Sequence, residues 1–288
     1  MKTYRYNVNM ASEKTAKRDQ PGPEFLGDEA LANHPQFAST LASGLAVLGC
    51  FAGGALTLGN KDIADRLGLT RPTVSRLMFT LMGLGYLRKD PQTGKYSLGP
   101  AVLSLGYPLL SQLTIRRVAA PEMLELARYA RGPVSVGTRD RLQVVYVETV
   151  QGLDTNATRP DIGSTRPILR TAMGRALLFA LDPSERALVL RRLEESQPED
   201  WALFSGAAAH AQQQIADRDF CVVSGDWQPT LAAVGVPMRS PFNGMALAFN
   251  LTVPSYSTDI NQLEKSLGPR LVSLVRSIEE KLGLLEMR

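Results

Sequence analysis

From Ser39 onward the apolar positions recur with a helical period. In LASGLAVLGCF, Leu41, Leu45, Leu48 and Phe51 fall on one stripe behind a Ser39/Thr40 cap, and Gly53-Gly54 closes the run. GNKDIADRLGL predicts a second, short helix with Asn60 as cap, Ile63, Ala64 and Leu67 as its buried face, and Gly68 as the left-handed residue that ends it. A third helix follows at once. Thr70 or Arg71 caps it, Pro72 sits in the first turn where a missing N–H costs nothing, and Val74, Leu77, Met78, Leu81 and Leu84 form one buried stripe. The other face carries Thr73, Arg76 and Thr80, with Arg71 where the helix begins. Two helices joined by a short glycine-containing turn make a helix-turn-helix, which offers the N-terminal residues of its second helix to a major groove.

After Gly85 the alternation in YLRKDPQTGKYSLG predicts two short strands around a DPQTG turn, a wing whose Arg88, Lys89 and Lys95 can reach phosphate or the minor groove. LGPAVLSLGYPLLSQLTI reads as a linker helix that Pro108 should kink or break, and RRVAAPEMLELARYARG as a further helix starting at Arg117. PVSVGTRDRLQVVYVETVQG alternates as two strands, and the next twenty residues read as loop. TAMGRALLFAL and PSERALVLRRLEE are helical, the second capped by Asp182 or Ser184. FCVVSG, LAAVGVPM and GMALAFNLTVP are strands, and a long terminal helix, with a break expected at Gly268-Pro269, closes the chain. A mixed order without βαβ repetition predicts an α+β domain on an antiparallel sheet.

Length then sets the domain count. At 288 residues, 44% apolar and 21% charged, the chain holds two ordinary domains. The expected division is a mobile N-terminal arm (1–37) with one short helical piece near Phe25 to Leu31, a winged helix-turn-helix (38–98), a linker helix (99–116) and an α+β domain (117–288). No run approaches the roughly 20 apolar residues of a membrane span, no signal-peptide core is present, and two distant cysteines, Cys50 and Cys221, fit a reducing cytoplasm. Net charge is only +4. Residues 59–98, however, carry seven basic side chains (Lys61, Arg66, Arg71, Arg76, Arg88, Lys89, Lys95) against three acidic ones, a surplus equal to that of the whole chain.

Catalytic and cofactor signatures are missing. There is no GxSxG elbow, HExxH, P-loop or dinucleotide fingerprint, two cysteines exclude a multi-cysteine zinc site, and neither His34 nor His210 has a metal-ligand partner at a recognised spacing, so neither cofactor nor metal is expected. A hydrolase built on Ser224, His210 and Asp226 can be written down on composition alone, and a ligand-sensing module acting through a protein partner is the other alternative.

Five segments in order, LASGLAVL, IADRLGLTRPTVSRLMFTLMGLGYL, GKYSLGPAVLSLG, RPILRTAMGRALLFAL, and the LAAVGVPM and ALAFNLTVP pair, resemble the IclR family of bacterial transcription regulators over residues 38 to 288. HPQFASTLASGLAVL is similar to the branch that controls aromatic-acid catabolism. The resemblance implies a winged helix domain and a GAF-like effector domain, assembled as a homodimer or dimer of dimers on a double-stranded DNA operator and answering to a small organic effector. Carried onto this chain, it adds Ser75 to Arg71, Thr73 and Arg76 as base or phosphate contacts. It places the effector at Thr155, Thr158, Ala172, Met173, Ser224, Asp226, Ala233, Asn250 and Thr252. The last two, two residues apart on a strand, face the same side, and a helix start favours a carboxylate. Pro72 stands where the family usually has serine, Phe79 where it has a polar residue, Ala233 where several relatives have cysteine, and Val223 where several have a carboxylate.

Overall fold

The computed structural model describes residues 28–52, 54–152 and 160–284. Residues 1–37 and 38–288 form separate units. In the first, α1 (Asp28–Ala32) leads into a turn in which His34 Nδ1 accepts from the Gln36 N–H at 3.2 Å. Phe25, Gly53, Thr155 and Thr158, named above, lie outside the described residues.

The second unit begins with α2 (Ser39–Gly49), α3 (Asn60–Leu67) and α4 (Arg71–Gly83) around Val47, Phe51, Ile63, Val74, Met78, Leu81 and Leu87. Four expectations are corrected here. Only the C-terminal half of α2 meets this small core, so Leu41 and Leu45 are left 65% and 55% exposed, and Ala38 rather than a hydroxyl precedes the helix. Leu84 lies past the end of α4 and is exposed. Asn60 does not cap α3, since the Asp62 carboxylate takes the Gly59 N–H at 2.8 Å. Gly68 ends α3 in the left-handed region, φ 64°, and Thr70 caps α4, its hydroxyl accepting from the Thr73 N–H. The wing is β1 (Leu87–Lys89) paired antiparallel with β2 (Tyr96–Leu98), and Leu58 bridges to Tyr96 on the other side.

Helix α5 (Ala101–Gln112) runs through Pro108 unbroken; the break falls at Leu113, whose ψ of 70° leaves the helical region. Helix α6 (Ile115–Ala130) follows, starting two residues before the expected Arg117.

Six strands, β3 (Val134–Asp140), β4 (Gln143–Val150), β5 (Thr165–Pro167), β6 (Cys221–Ser224), β7 (Leu231–Pro237) and β8 (Leu247–Pro254), form one sheet in the order β5-β4-β3-β8-β7-β6. Every neighbouring pair is antiparallel. The short β5 falls in the stretch read as loop. Between β5 and β6 come α7 (Ala172–Ala180), α8 (Pro183–Ser196) and α9 (Pro198–Arg218). The sequence reading missed α9: over its 21 residues only Ala208, Ala211 and Ile215 are buried, too little to print an apolar stripe. The terminal helix passes from α10 (Ile260–Gln262) through a π turn (Leu263–Leu267) into α11 (Gly268–Lys281). There the Gly268 N–H reaches back five residues to the Leu263 carbonyl, next to Pro269, which has no N–H to give.

Strand alternation divides the sheet into two faces. Leu247, Phe249, Leu251 and Val253 of β8, with Val234, Val236, Val134 and Val136, pack with α6 and α11, each buried Leu or Phe contributing about 1.5–3 kcal/mol. Ala248, Asn250 and Thr252 fall on the opposite face, which α7 crosses. The helix comes so close that a Cβ on Gly235 would run into the Ala172 carbonyl.

Candidate DNA interface and effector cleft

On α4 the side chains first read as one polar face separate into two kinds. Thr73 shares a 2.9 Å hydrogen bond with the Thr70 hydroxyl, Ser75 accepts from Asn60 Nδ2 at 2.7 Å, and Thr80 donates to the Arg76 carbonyl at 3.1 Å. Those hydroxyls fasten the helix to its cap, to α3 and to itself. Arg71 and Arg76 are exposed and carry no ion pair or hydrogen bond from their guanidinium groups among the described residues. Phe79, 74% exposed, stands on the same helix. Arg66, counted above with the basic set, is exposed but bonded within the protein, donating to the Cys50 carbonyl at 2.8 Å.

Arg88, Lys89 and Lys95 are exposed on the wing, with the Lys89 ammonium 5.7 Å from the Tyr96 ring centre. Asp90 shapes the turn between them. Its carboxylate accepts from Thr93 Oγ1 at 2.7 Å and the Gln92 N–H at 2.9 Å, and these bonds hold its pKa below the ordinary value.

In the sheet domain a cleft of about 660 Å³, mouth included, opens between β4, the last strands, the β6–β7 hairpin and the start of α7. Of the residues expected to hold the effector, Ala172, Ala233, Asn250 and Thr252 line it. Met173 does not: fully buried, it packs over Gly137 in the sheet. Ser224 is exposed at the end of β6, outside the lining, and Asp226 is drawn away by the Arg175 guanidinium at 2.5 Å. A buried cation needs a counter-ion, which is what the reading of Asp226 as a ligand group overlooked.

The lining also contains residues the sequence reading missed: Tyr146, Arg166, Arg170, Thr171, Trp227 and Gln228. The two arginines flank the RPILR segment ahead of α7, where a helix start followed by no acidic residue was the available signal. Arg170 is held by Asp200, which raises its pKa, and stacks 5.0 Å from the Phe204 ring centre. Among the described residues Arg166 has no carboxylate partner; it lies 5.9 Å from the Tyr146 and 5.5 Å from the Trp227 ring centres and donates to the Thr165 carbonyl. Burial pushes the Tyr146 hydroxyl pKa up, against the pull of Arg166 and of Asn250. Thr171 caps α7 by accepting from the Gly174 N–H at 3.1 Å. The cleft thus combines aromatic walls, two cations, a helix start and, among the described residues, no acidic lining group.

A winged helix whose Arg71 and Arg76 are unpaired among the described residues, followed by a sheet domain with a cationic cleft, fits the class of ligand-responsive DNA-binding regulators. The model of the IclR helix-turn-helix domain matches residues 40–91, and that of the bacterial transcriptional regulator IclR C-terminal domain matches residues 108–280. The chain belongs to the IclR family of transcription regulators. It is 31% identical over 245 residues to the HTH-type transcriptional regulator TsaQ1/TsaQ2 of Comamonas testosteroni, covering 84% of this chain and 88% of that one. It is 27% identical to the Pca regulon regulatory protein of Pseudomonas putida, covering 87% and 86%. The solved structure of an IclR family transcriptional regulator from Brucella abortus superposes with a TM-score of 0.79 at 40% identity, over 90% of this chain and 97% of that one. Among the described residues no helix is long and apolar enough to cross a membrane.

Proposed function

We propose that the chain is a one-component cytoplasmic regulator, active through binding and not through catalysis, whose cleft takes an aromatic carboxylate and whose winged helix reads an operator. The carrying observation is Arg166: a guanidinium with no carboxylate partner among the described residues, set against Tyr146 and Trp227 in a cleft whose described lining has no acidic group. A carboxylate supplies the missing anion, the start of α7 adds favourable N–H dipoles, and the rings stack on an aromatic body. A hydrolytic role is disfavoured because His210 bonds Gln214 and Asp226 bonds Arg175, so the Ser224, His210, Asp226 set is not joined.

On the DNA side, Arg71 and Arg76 contact bases or phosphates, Arg88, Lys89 and Lys95 contact phosphates, and Thr73, Ser75 and Thr80 position the helix. A second copy covers Leu103, Leu105, Tyr107 and Leu109 of α5, a largely apolar helix with no buried residue. The two-fold pair sets recognition helices about 34 Å apart, or a multiple of that.

The test is operator binding titrated with aromatic acids. An acid should shift operator affinity in the wild type, and Arg166→Met should weaken the acid's half-maximal concentration by about tenfold or more while leaving acid-free operator binding unchanged. An unaltered acid response in that variant rejects the cleft as the effector site.

A further inference from the structure

Seen down the axis of α4, at about 100° per residue, the buried Val74, Met78 and Leu81 define one side of the helix and Pro72, Arg76 and Phe79 the opposite side. All three outer residues are exposed. Phe79 is 74% exposed and takes no part in the small core that Met78 and Leu81 enter. The hydroxyls around them are engaged within the protein: Thr73 with Thr70, Ser75 with Asn60, and Thr80 with the Arg76 carbonyl. The outward chemistry of the helix is therefore two guanidinium groups, on Arg71 and Arg76, and two apolar side chains, Pro72 and Phe79. Arg76 and Phe79 are neighbours at i and i+3, about 5–6 Å apart at Cβ and about 4.5 Å apart along the axis. That separation is close to the step of about 3.4 Å between successive nucleotides of a strand.

We infer that Phe79 is a base-reading residue of this helix, recognising the C5-methyl group of a thymine in the major groove beside the contact made by Arg76. This rests on the reading of α4 as the helix that meets the operator, and adds to it a residue and a base type. Of the four bases, thymine alone presents a methyl group in the major groove. Guanine offers two acceptors, which suit an arginine, while the amino groups of adenine and cytosine need an acceptor that a phenyl ring does not supply as a side-chain amide or carboxylate does. The seven basic side chains against three acidic ones over residues 59–98 draw this face to a polyanion and not to a neutral apolar partner. In the groove the ring sheds water against the methyl, and burying one such group is equivalent to about fourfold in affinity.

The experiment uses the full chain and a duplex that it enriches from a random-sequence pool. Each thymine of that duplex is replaced in turn by deoxyuridine, which pairs as thymine does and lacks only the C5-methyl, and binding is read by fluorescence anisotropy at fixed salt. In the wild type one thymine in each half-site should be sensitive, its replacement weakening binding by about threefold to fivefold. Phe79→Ala should bind the thymine duplex about fivefold to tenfold more weakly than the wild type and should not distinguish it from the deoxyuridine duplex. Because the side chain is exposed, the variant should keep the wild-type unfolding midpoint. Indifference of the wild type to every replacement overturns the inference, and that result needs no variant. A methyl dependence that survives in Phe79→Ala also overturns it, assigning the methyl to another residue or to DNA shape; a changed oligomeric state with that dependence intact places Phe79 between copies of the chain instead. Enrichment of no sequence from the pool rejects the operator-reading role of α4 itself, a different failure from sequence-specific binding without methyl dependence.

Discussion

Arg175, buried in α7, donates to Asp226 Oδ2 at 2.5 Å, and the next residue after Asp226 is Trp227, a wall of the cleft. The same guanidinium donates from Nε to the Leu169 carbonyl at 2.8 Å, while Ser255 holds the far side of the hairpin through the Pro229 carbonyl at 3.1 Å. Helix, preceding loop and hairpin are therefore fastened at one cation.

Asp226→Ala strands that cation. Removing one partner of a fully buried pair costs about 3–5 kcal/mol; because the Asp226 side chain keeps 28% of its exposure, a loss of about 1–3 kcal/mol is expected in urea unfolding. Effector affinity should fall with it, since Trp227 loses its anchor. A variant of wild-type stability would show that the pair contributes nothing to the fold.

On the DNA face the exposed cations divide by what they meet. Arg76→Ala should cost about 1–3 kcal/mol of operator binding if its guanidinium reads a guanine, and should relax sequence preference at that base. Lys95→Ala should weaken all sequences alike and reduce the slope of log K against log salt by about 0.9. Filter-binding titrations at several salt concentrations separate the two; identical behaviour of both variants contradicts the division.

Gly235→Ala drives a methyl into the Ala172 carbonyl. Backbone cannot swing aside as a side-chain tip can, so the cost should be about 1–3 kcal/mol, read as a lower unfolding midpoint. Effector binding should weaken too, because Ala172 lines the cleft beside the displaced strand.

Burial pushes the Cys221 thiol up to about 12 from an ordinary value of 9.0. The folded protein therefore keeps the proton that the unfolded chain releases above pH 9. The stability this group contributes is complete below that pH and declines as pH rises from about 9 to about 12, so urea midpoints should fall across that window. Cys221→Ala should flatten the fall. At pH 8 iodoacetamide should leave Cys221 of the folded protein unmodified, and label it only after unfolding.

Much of this architecture was legible in the linear sequence. The recognition helix, its Thr70 cap, the wing and five of the six strands of the sheet follow from local rules, because caps, turn residues and alternation act over a few neighbouring residues. So did the shared face of Asn250 and Thr252. Local rules failed wherever a partner distant in sequence decides. Leu41 and Leu45 have a helical period, but the core reaches only the far half of their helix; α9 has no stripe, yet packs with α7 and α8. Asp226 could be placed near the cleft but not turned toward Arg175, 51 residues earlier, and Arg166 meets Tyr146 and Trp227 only once the fold brings β4, β5 and the β6–β7 hairpin together. The sequence determined which segments become helices and strands and where the positive charge lies. Tertiary structure decided which polar groups find their partners within the protein, because satisfaction depends on distances across the fold.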